Sequence, residues 1–566
     1  MHNSIRLWFA VAWLLFAGVP AFARNDVTAV KPTTAAIAAA HPLAAQAGYE
    51  ILAQGGNAFD AAVAVSAALA VVEPYASGIG GGGFWLIHRS RDRFETMIDA
   101  RETAPGKINS AMFIDGGGKP LPRVTLEGGR AAAIPGLPAG LVHLAKKYGK
   151  LPLKKSLAPA IRFAREGFRI DERYRQMGET RLEMLQSEPA LTKLFLDGGA
   201  IPSEKFSLRQ PDLANTLETL GKLGLDGFYS GAIARELVNG ANTAGGVWDM
   251  ADLKAYRVIE RKPVKFTFQN LTITSASLPS SGGLTLAQTL NILEYTPFAS
   301  SDPKSRSHYV AEAMRRAFQD RARYLGDPDF VSAPVEELQD KIYAARRAMT
   351  IDPNEATPSA TLGEVSVKKT EGTSTTHFSV IDRAGNRVAA TLSINTPFGS
   401  GVIPGKTGVL LNNSMDDFAV TPGVPNAYGL VGSEANSIKP RKRPLSSMSP
   451  TFVEDDRGIL ILGTPGGSRI ISMVLLGILD YAAKTNFDVQ AMVALPRFHH
   501  QFLPDRIEVE PEGFEPELLA QLASLGHKVD PAKRRWGNMQ AVYFDKKSGK
   551  TQVGNDPRGI GGLAWY

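Results

Sequence analysis

The feature of this sequence that most constrains its fold is a change of pattern within residues 371–380. There an irregular polar segment runs into alternating apolar and polar residues, which continue over 378–382 and again over 387–394. Alternation with a period of two is typical of half-buried strands, and a glycine-containing turn separates the two runs. Thr375 and Thr376 therefore stand where a polar segment enters a strand. Threonine is a good strand former, so this pattern alone also fits two purely structural residues.

Helices and further strands are predicted on both sides of this segment. Residues 41–54 have a helical pattern that stops at two glycines, and Asn57 with Asp60 predicts the cap of a second helix that ends near Val72. The second helix is apolar nearly all round, which indicates that it is buried. The pattern also predicts strands over 84–88, 94–100 and 458–463, a strand pair within 264–277 and a helix over 470–483.

A glycine-rich run, residues 77–83, matches the G-x-G-x-x-G pattern of dinucleotide-binding proteins at Gly78, Gly80 and Gly83. In that motif a strand precedes the glycines and a helix follows, so that the helix N-terminus faces the pyrophosphate. Here a predicted helix precedes and a strand follows. The reversed order excludes nucleotide binding and favours a tight turn in which backbones approach closely.

The first 23 residues have the pattern of a signal peptide. A short basic start leads into an apolar run over 7–19, and Ala21 and Ala23 supply a small-x-small cleavage pattern before Arg24. The apolar run is shorter than the roughly 20 residues that a membrane anchor needs. We therefore expect residues 1–23 to be removed and the mature chain to be exported without a membrane span.

Composition narrows the chemistry and the compartment. The chain has 566 residues and no cysteine, which excludes disulfides, a thiolate nucleophile and cysteine-based metal sites. An exported chain without disulfides fits the bacterial periplasm or secretion from a bacterium. A net charge of +7 without a basic helix or an aromatic-interleaved patch gives no indication of a nucleic-acid partner. The basic run 439–443 is predicted to be a solvated loop, and the polar residues 351–372 a linker.

Few routes to catalysis remain for such a chain. It has no G-x-S-x-G nucleophile elbow and no H-E-x-x-H motif, and the adjacent His499 and His500 cannot share a helix face as metal ligands. A threonine at a chain N-terminus can attack through its hydroxyl while its own α-amine, with a pKa near 8, accepts the proton. Thr375 is internal, so this chemistry requires cleavage of the bond between Ser374 and Thr375.

Several motifs, taken together and in order, resemble those of the γ-glutamyltranspeptidase family. The resemblance covers the chain from about residue 28 to its end. The motifs are 98–105 (IDARETAP), 375–380 (TTHFSV), 411–418 (LNNSMDDF), 443–450 (RPLSSMSP), 465–469 (PGGSR), 496–500 (PRFHH) and 556–558 (DPR).

The resemblance implies an N-terminal-nucleophile hydrolase fold, an α/β sandwich of four layers (αββα). It also implies self-cleavage of the precursor into a large subunit, 24–374, and a small subunit, 375–566, which form one domain as a heterodimer. The implied substrates are glutathione and other γ-glutamyl compounds, with water, an amino acid or a dipeptide accepting the γ-glutamyl group. No cofactor and no metal are implied.

The resemblance also implies a role for individual residues. Thr375 is the expected nucleophile, and Ser393, where the family usually has threonine, is expected to hydrogen-bond near its amine. Gly466 and Gly467 are the expected oxyanion donors. The expected substrate-binding residues are Arg101 for the α-carboxylate, Asp417 for the α-ammonium, Asn395, Ser446 and Ser447 for the rest of the glutamyl group, and Tyr428 as a lid.

One position departs from the family pattern. Ser414 stands where the family usually has glutamine or glutamate, whose longer side chain helps to hold the substrate amine. We therefore expect weaker or altered selectivity for a γ-glutamyl group. Two alternatives remain open at this stage: a glutaryl or cephalosporin-type acylase of the same fold, whose substrate lacks the α-amine, and a non-catalytic periplasmic relative.

Overall fold

Two large β-sheets lie face to face at the centre of the molecule. The computed structural model describes residues 30–363, 374–421, 423–424, 426–427 and 429–566. The predicted signal peptide and residues 364–372 of the predicted linker lie outside these ranges. The strands of the described residues are β1 (Ala36–Ala39), β2 (Gly82–Arg89), β3 (Phe94–Ala100), β4 (Phe168–Arg169), β5 (Ser207–Leu208), β6 (Ile259–Arg261), β7 (Val264–Phe268), β8 (Leu271–Ser275), β9 (Thr376–Ile381), β10 (Arg387–Ser393), β11 (Thr451–Glu454), β12 (Gly458–Gly463), β13 (Phe498–His499), β14 (Ile507–Val509), β15 (Val529–Pro531), β16 (Gln540–Asp545), β17 (Thr551–Asn555) and β18 (Gly562–Trp565).

Seven strands form the first sheet, in the order β18-β1-β9-β10-β2-β3-β6, and six form the second, in the order β17-β16-β12-β11-β8-β7. The pairing within both sheets is antiparallel. Two small sheets, β13-β14-β15 and β4-β5, complete the strand pairing of the described residues.

Helices cover the outer faces of both sheets. The helices of the described residues are α1 (Pro42–Ala53), α2 (Ala58–Val72), α3 (Leu137–Lys147), α4 (Leu153–Glu166), α5 (Glu172–Glu179), α6 (Leu182–Ser187), α7 (Pro189–Phe195), α8 (Pro211–Leu223), α9 (Asp226–Tyr229), α10 (Gly231–Thr243), α11 (Met250–Ala255), α12 (Gly282–Glu294), α13 (Pro303–Tyr324), α14 (Val335–Gln339), α15 (Lys341–Ala348), α16 (Ser359–Leu362), α17 (Arg469–Ala483), α18 (Val489–Val493) and α19 (Pro516–Ser524). Within the described ranges, none of them is both long enough and apolar enough to cross a membrane.

The apolar residues divide into three main clusters that define the layers. A narrow cluster fills the space between the sheets, with Ala38, Leu86 and Ile381 from the first sheet and Phe452 and Ile461 from the second. A larger cluster packs the first sheet against helices that include α1, α2, α4 and α8. Another packs the second sheet against α12, α13 and α17. The order is helices, sheet, sheet, helices, which confirms the predicted αββα sandwich.

Most of the elements predicted around Thr375 are confirmed. Strands β9 and β10 pair with each other, and their buried residues alternate between the helical face and the inter-sheet face, as a period of two requires. Asn57 caps α2 through a reciprocal capping box with Asp60, and α2 is buried along its whole length. Its apolar surface on all sides is explained by this position between the first sheet and the outer helices.

Two sequence interpretations are wrong in part. The basic run 439–443 is not wholly solvated, because Lys442 and Arg443 are buried: the Lys442 ammonium donates to the carbonyls of Ala435 and Ser437, and Arg443 lies 3.4 Å from Asp99. In the predicted linker, the described part packs onto the body, since the buried Ser359 donates to the carbonyl oxygen of Phe502.

Candidate active site

The pairing of β9 with β10 places two hydroxyl groups side by side at one end of the first sheet. Leu392 pairs with Thr376, so Thr375 and Ser393 are the next residues on the two strands. Their Oγ atoms lie 3.1 Å apart, and both side chains are largely buried. Ser393 Oγ also accepts a hydrogen bond of 2.8 Å from the backbone N–H of Asn395, which fixes its position.

The pleat of β9 turns the three residues of the TTH motif to different surroundings. Thr376 Oγ1 donates to Glu73 Oε2 at 2.6 Å on the helical side of the sheet, at the end of α2. His377 is buried between the sheets and shares a 2.8 Å hydrogen bond with Thr391. Burial lowers the pKa of His377 to about 3, so it is a neutral core residue. Of the three, Thr375 is the one that lines the pocket described below.

The peptide bond between Ser374 and Thr375 is held on both sides by the segment that follows α2. Ser374 Oγ donates to the carbonyl oxygen of Tyr75 at 2.5 Å, and Thr376 is held by Glu73. Thr375 has a φ of +156°, a value that a β-branched residue rarely adopts. This backbone strain lies next to the bond whose cleavage would remove the φ torsion altogether.

The glycine run 77–83 allows three chain segments to meet at this end of the sheet. A Cβ on Gly80 would lie 2.0 Å from the carbonyl oxygen of Leu410, one on Gly81 would lie 2.1 Å from that of Ser393, and one on Gly82 would lie 2.4 Å from that of Ala100. Close backbone approach, as predicted from the sequence, therefore explains these glycines.

A pocket opens beside Thr375 and Ser393. The structure brings Arg101, Asn395, Asp417, Ser446, Ser447 and Gly467 into its wall together with these two residues. The remaining wall comes from the end of α13, from the segments between β10 and β11, and from the start of α17. Its residues are Arg321, Ala322, Leu325, Phe418, Ala419, Asn426, Leu430, Val431, Gly432, Asn436, Leu445, Met448, Ser468 and Ile470.

Charged residues form one end of the pocket. Arg101 is buried, and its guanidinium pairs with Asp417 through Nη2 and with Glu102 through Nη1, at 3.3 Å in the second case. Burial raises the pKa of Asp417, while the charge of Arg101 opposes this shift. Burial acts against the charged form of Arg101, but Glu102 and Asp417 raise its pKa overall. The charge of Arg101 is therefore balanced by the two carboxylates that it contacts.

Ser446 and Ser447 lie beside this end with their hydroxyl oxygens already engaged as acceptors. Ser446 Oγ accepts from the backbone N–H of Met448 at 3.1 Å, and Ser447 Oγ accepts from Nη2 of Arg321 at 3.1 Å. Within the described part of the chain, neither hydroxyl donates to a protein acceptor. Both O–H groups therefore remain available to a ligand in the pocket.

The glycine pair after β12 presents backbone donors at the start of α17. Gly466 and Gly467 have positive φ values, +140° and +60°, and precede α17, whose N-cap is Ser468. Neither glycine N–H donates to a protein acceptor among the residues that the structure describes. Unpaired N–H groups at a helix N-terminus can stabilise negative charge on an oxygen. Gly467 lines the pocket, and Gly466 is its neighbour.

Among the expected site residues that the structure describes, Gly466 and Ser414 do not line the pocket. Ser414 is buried behind it, in the 3₁₀ turn Ser414–Asp417, and its hydroxyl donates to Glu102 Oε1 at 2.8 Å. Tyr428 lies outside the described residues. Sequence reasoning missed Arg321, because it stands in the charged last turn of α13, where nothing in the local pattern distinguishes it from its exposed neighbour Arg323.

The four-layer fold, with a threonine hydroxyl at the start of a central strand, defines an N-terminal-nucleophile hydrolase. The family model described as gamma-glutamyltranspeptidase matches residues 44–566. The chain belongs to the γ-glutamyltranspeptidase family, and it is an enzyme of that class.

Relatives with known names are similar over nearly their whole length. The glutathione hydrolase proenzyme of Escherichia coli K12 is 42% identical over 537 residues, which are 93% of this chain and 91% of the relative. The protein of the same name from Pseudomonas aeruginosa is 38% identical over 537 residues, 93% of each chain. Both are similar enough in sequence to share the family's architecture.

Solved structures of the same fold include enzymes of different names. A cephalosporin acylase from Bacillus halodurans aligns with a TM-score of 0.80 at 27% identity, over 97% of this chain and 99% of that one. The γ-glutamyltranspeptidase of Helicobacter pylori aligns with a TM-score of 0.55 at 40% identity, over 56% of this chain and 92% of that one.

Proposed function

We propose that this chain is a self-processing γ-glutamyltranspeptidase and glutathione hydrolase in which Thr375 is the nucleophile. The observation that carries the proposal is that one pocket contains the Thr375 hydroxyl, the Arg101–Asp417 pair and the Gly467 backbone. These groups match the needs of a γ-glutamyl amide: a nucleophile, a charged site for an amino-acid zwitterion and a donor for the oxyanion.

Maturation is the first proposed reaction. Thr375 Oγ1 attacks the carbonyl carbon of Ser374, the C–N bond breaks, and the acyl group moves to the oxygen as an ester. Water then hydrolyses the ester, leaving Ser374 with a carboxylate and Thr375 with a free α-amine and a free hydroxyl. The products are the large subunit 24–374 and the small subunit 375–566, and relief of the strained φ of Thr375 favours the cleavage.

Transfer of the γ-glutamyl group is the second proposed reaction. The free α-amine of Thr375 takes the hydroxyl proton as the oxygen attacks the γ-carbonyl carbon, and the protonated amine then gives that proton to the leaving amine. The N–H groups of Gly466 and Gly467 stabilise the oxyanion, and Ser393 holds Thr375 in place at 3.1 Å. Water, an amino acid or a dipeptide attacks the γ-glutamyl ester and releases the product.

Recognition of the glutamyl group is assigned to the charged end of the pocket. The substrate α-carboxylate pairs with Arg101 and accepts from Ser446 and Ser447, while the α-ammonium pairs with Asp417. A zwitterion thus replaces the Arg101–Asp417 ion pair with two ion pairs to the substrate. Asn395 completes this contact, and Tyr428 is assigned to the lid.

The cellular setting is part of the proposal. Residues 1–23 act as a signal peptide, and the processed heterodimer works in the periplasm or outside a bacterial cell. Its donors are glutathione and other γ-glutamyl compounds.

N-terminal sequencing of the purified, denatured protein, together with an assay on a γ-glutamyl anilide, tests the proposal. We expect two N-termini, Arg24 and Thr375, and anilide cleavage. Thr375→Ala is expected to give one chain without activity, whereas Thr375→Ser retains a hydroxyl and is expected to mature and turn over more slowly. A wild-type protein with a single N-terminus would leave Thr375 without its amine base and would overturn the proposal in favour of a non-catalytic relative.

A glutaryl acylase is a second candidate, favoured by the position of Ser414. Its hydroxyl is bound to Glu102 and not directed into the pocket, which leaves Asp417 as the main partner for an α-amine. The Bacillus halodurans cephalosporin acylase shares the fold. A glutaryl anilide cleaved faster than the γ-glutamyl anilide would support this candidate. Under the main proposal, Ser414→Gln instead lowers the KM for the γ-glutamyl donor, and an unchanged KM would count against a role for this position in selectivity.

A further inference from the structure

Arg321 differs from the other buried arginines among the described residues. It lies in the last turn of α13 and is only 4% exposed. The other buried arginines each pair with a carboxylate, as Arg101 does with Asp417 and Arg443 does with Asp99. Within the described residues, no carboxylate oxygen lies within 4.0 Å of the Arg321 guanidinium, whose partners are the neutral hydroxyls of Ser281 at 2.9 Å and Ser447 at 3.1 Å.

This guanidinium still carries its charge at neutral pH. Burial lowers the pKa of Arg321 to about 10, against the opposing effect of Asp417. A buried cation without a counter-ion is unfavourable, because it has lost its hydration without gaining an ion pair. Arg321 also lines the pocket that holds Thr375, so an anionic group of a ligand can supply the missing charge.

The hydrogen-bond directions around Arg321 favour the same kind of ligand. A guanidinium can only donate, so the oxygens of Ser281 and Ser447 accept from it and their own O–H groups point elsewhere. The Ser281 hydroxyl donates to the carbonyl oxygen of Ser446 at 2.7 Å. The Ser447 hydroxyl has no protein acceptor in the described part of the chain and faces the pocket, so Arg321 sets it as a donor.

We propose that Arg321 is a positioning and specificity-determining residue for the α-carboxylate of the donor: it orients the Ser447 hydroxyl toward that carboxylate and adds a second positive charge to that of Arg101. The inference rests on the proposed γ-glutamyl transfer and assigns a further residue to it. Two cations then face one carboxylate, and Asp417 is left to pair with the substrate ammonium.

The test compares three anilide donors on Arg321→Gln and the wild-type enzyme. The γ-glutamyl donor has both α-groups, the glutaryl donor lacks the amine, and the 4-aminobutyryl donor lacks the carboxylate. Loss of one charge-assisted interaction is expected to raise the KM about 10- to 100-fold for the first two donors. We expect kcat to change much less, and the 4-aminobutyryl donor to be unaffected. Where this donor turns over too slowly, its inhibition constant against the γ-glutamyl donor gives the same comparison.

Two further variants separate charge and geometry from folding. Arg323→Gln makes the same substitution on an exposed residue of the same helix. It should leave KM and kcat unchanged for all three donors. Arg321→Lys keeps the charge but not the planar fork, so it should recover most of the KM for the carboxylate donors and still leave the 4-aminobutyryl donor unaffected. If Arg321→Gln does not mature, Arg321→Lys alone should show a smaller KM increase confined to the carboxylate donors.

The outcomes separate this inference from the proposed function. Arg321→Gln could raise the KM equally for all three donors, or lower kcat with an unchanged KM. Either result would show that Arg321 is a structural residue and would overturn the inference, while the proposed function stands. A wild-type enzyme that does not cleave the γ-glutamyl donor would overturn the proposed function itself.

Discussion

Thr375 and Thr376 are the same residue type one position apart, and the pleat of β9 gives them different surroundings. Thr375 faces the pocket beside Ser393, and Thr376 donates to a carboxyl group that is buried at the end of α2. The change of sequence pattern predicts that a strand begins here. It cannot predict Glu73 as the partner of Thr376, because that contact joins residues far apart in the chain.

The buried carboxyl of Glu73 predicts a pH dependence of stability. Burial raises its pKa to about 7, although its hydrogen bond from Thr376 opposes the shift. The folded-state pKa of Glu73 exceeds the unfolded value. Its contribution to the free energy of unfolding is therefore fully present below about pH 4.5 and is lost as the pH rises through 7. The resulting decrease in the free energy of unfolding amounts to about 3 kcal/mol at most. Glu73→Gln keeps an oxygen that accepts from Thr376 but does not titrate. It should therefore weaken the dependence of the free energy of unfolding on pH in this range.

Thermal unfolding midpoints between pH 4.5 and 8 test this prediction. The advantage of the wild type over Glu73→Gln should shrink across that interval. Glu50→Gln makes the same substitution on a half-exposed side chain of α1 and is the matched control. Parallel profiles for Glu73→Gln and the wild type would show that Glu73 does not titrate in this range.

At the scale of elements, local patterns predict what local physics determines. The boundaries of α1, α2, β3 and β12 agree with the sequence prediction to within about a residue, because capping residues, glycines and apolar periodicity act over a few positions. The basic run was misjudged because its counter-charges are distant: Arg443 lies near Asp99 of β3. The sequence did not predict Arg321 as a site residue for the same reason. Its proposed role depends on Ser447, which is distant in the chain, and on a pocket that only the folded chain forms.

A histidine pair joins elements from both sides of the Ser374–Thr375 bond. His308 Nδ1 of α13 lies 2.8 Å from His527 Nε2, which follows α19, and Arg315 lies 3.5 Å from the other nitrogen of His527. Burial, with the charge of His308, lowers the pKa of His527 to about 3. The other charged or titratable groups that act on this pair are Glu312, Arg316 and His500.

This pair predicts sensitivity to acid. In the folded protein His527 is neutral, and below about pH 6.5 it gains a proton on unfolding. Its contribution to the free energy of unfolding is therefore present above about pH 6.5 and is lost as the pH falls toward 3. His527→Gln cannot take up that proton and should lose less stability between pH 7 and 5 than the wild type. Unfolding midpoints at the two pH values measure this, with His143→Gln on the half-exposed surface of α3 as the control. An identical acid loss in His527→Gln and the wild type would contradict the prediction.

At the scale of the whole molecule, the proposed cleavage divides a fold whose strands are interleaved. In the first sheet, β1 from before residue 375 lies between β18 and β9 from after it, and β10 pairs with β2. In the second sheet, β11 pairs with β8 across the same division. The apolar layer between the sheets takes residues from both segments. Cutting one peptide bond therefore removes none of these contacts.

This arrangement predicts that the two subunits separate only when the molecule unfolds. Strand pairing and apolar packing are insensitive to salt, whereas contacts between exposed charges weaken once about 1 M salt reduces the screening length to about 3 Å. The mature protein should therefore elute as one species in gel filtration at that salt concentration, with both chains in the peak. Both chains should also lose structure in one transition, as judged by far-ultraviolet circular dichroism and by tryptophan fluorescence. A small subunit that elutes alone before any loss of circular dichroism would mean that the strands are not shared between the segments as the sheet order requires.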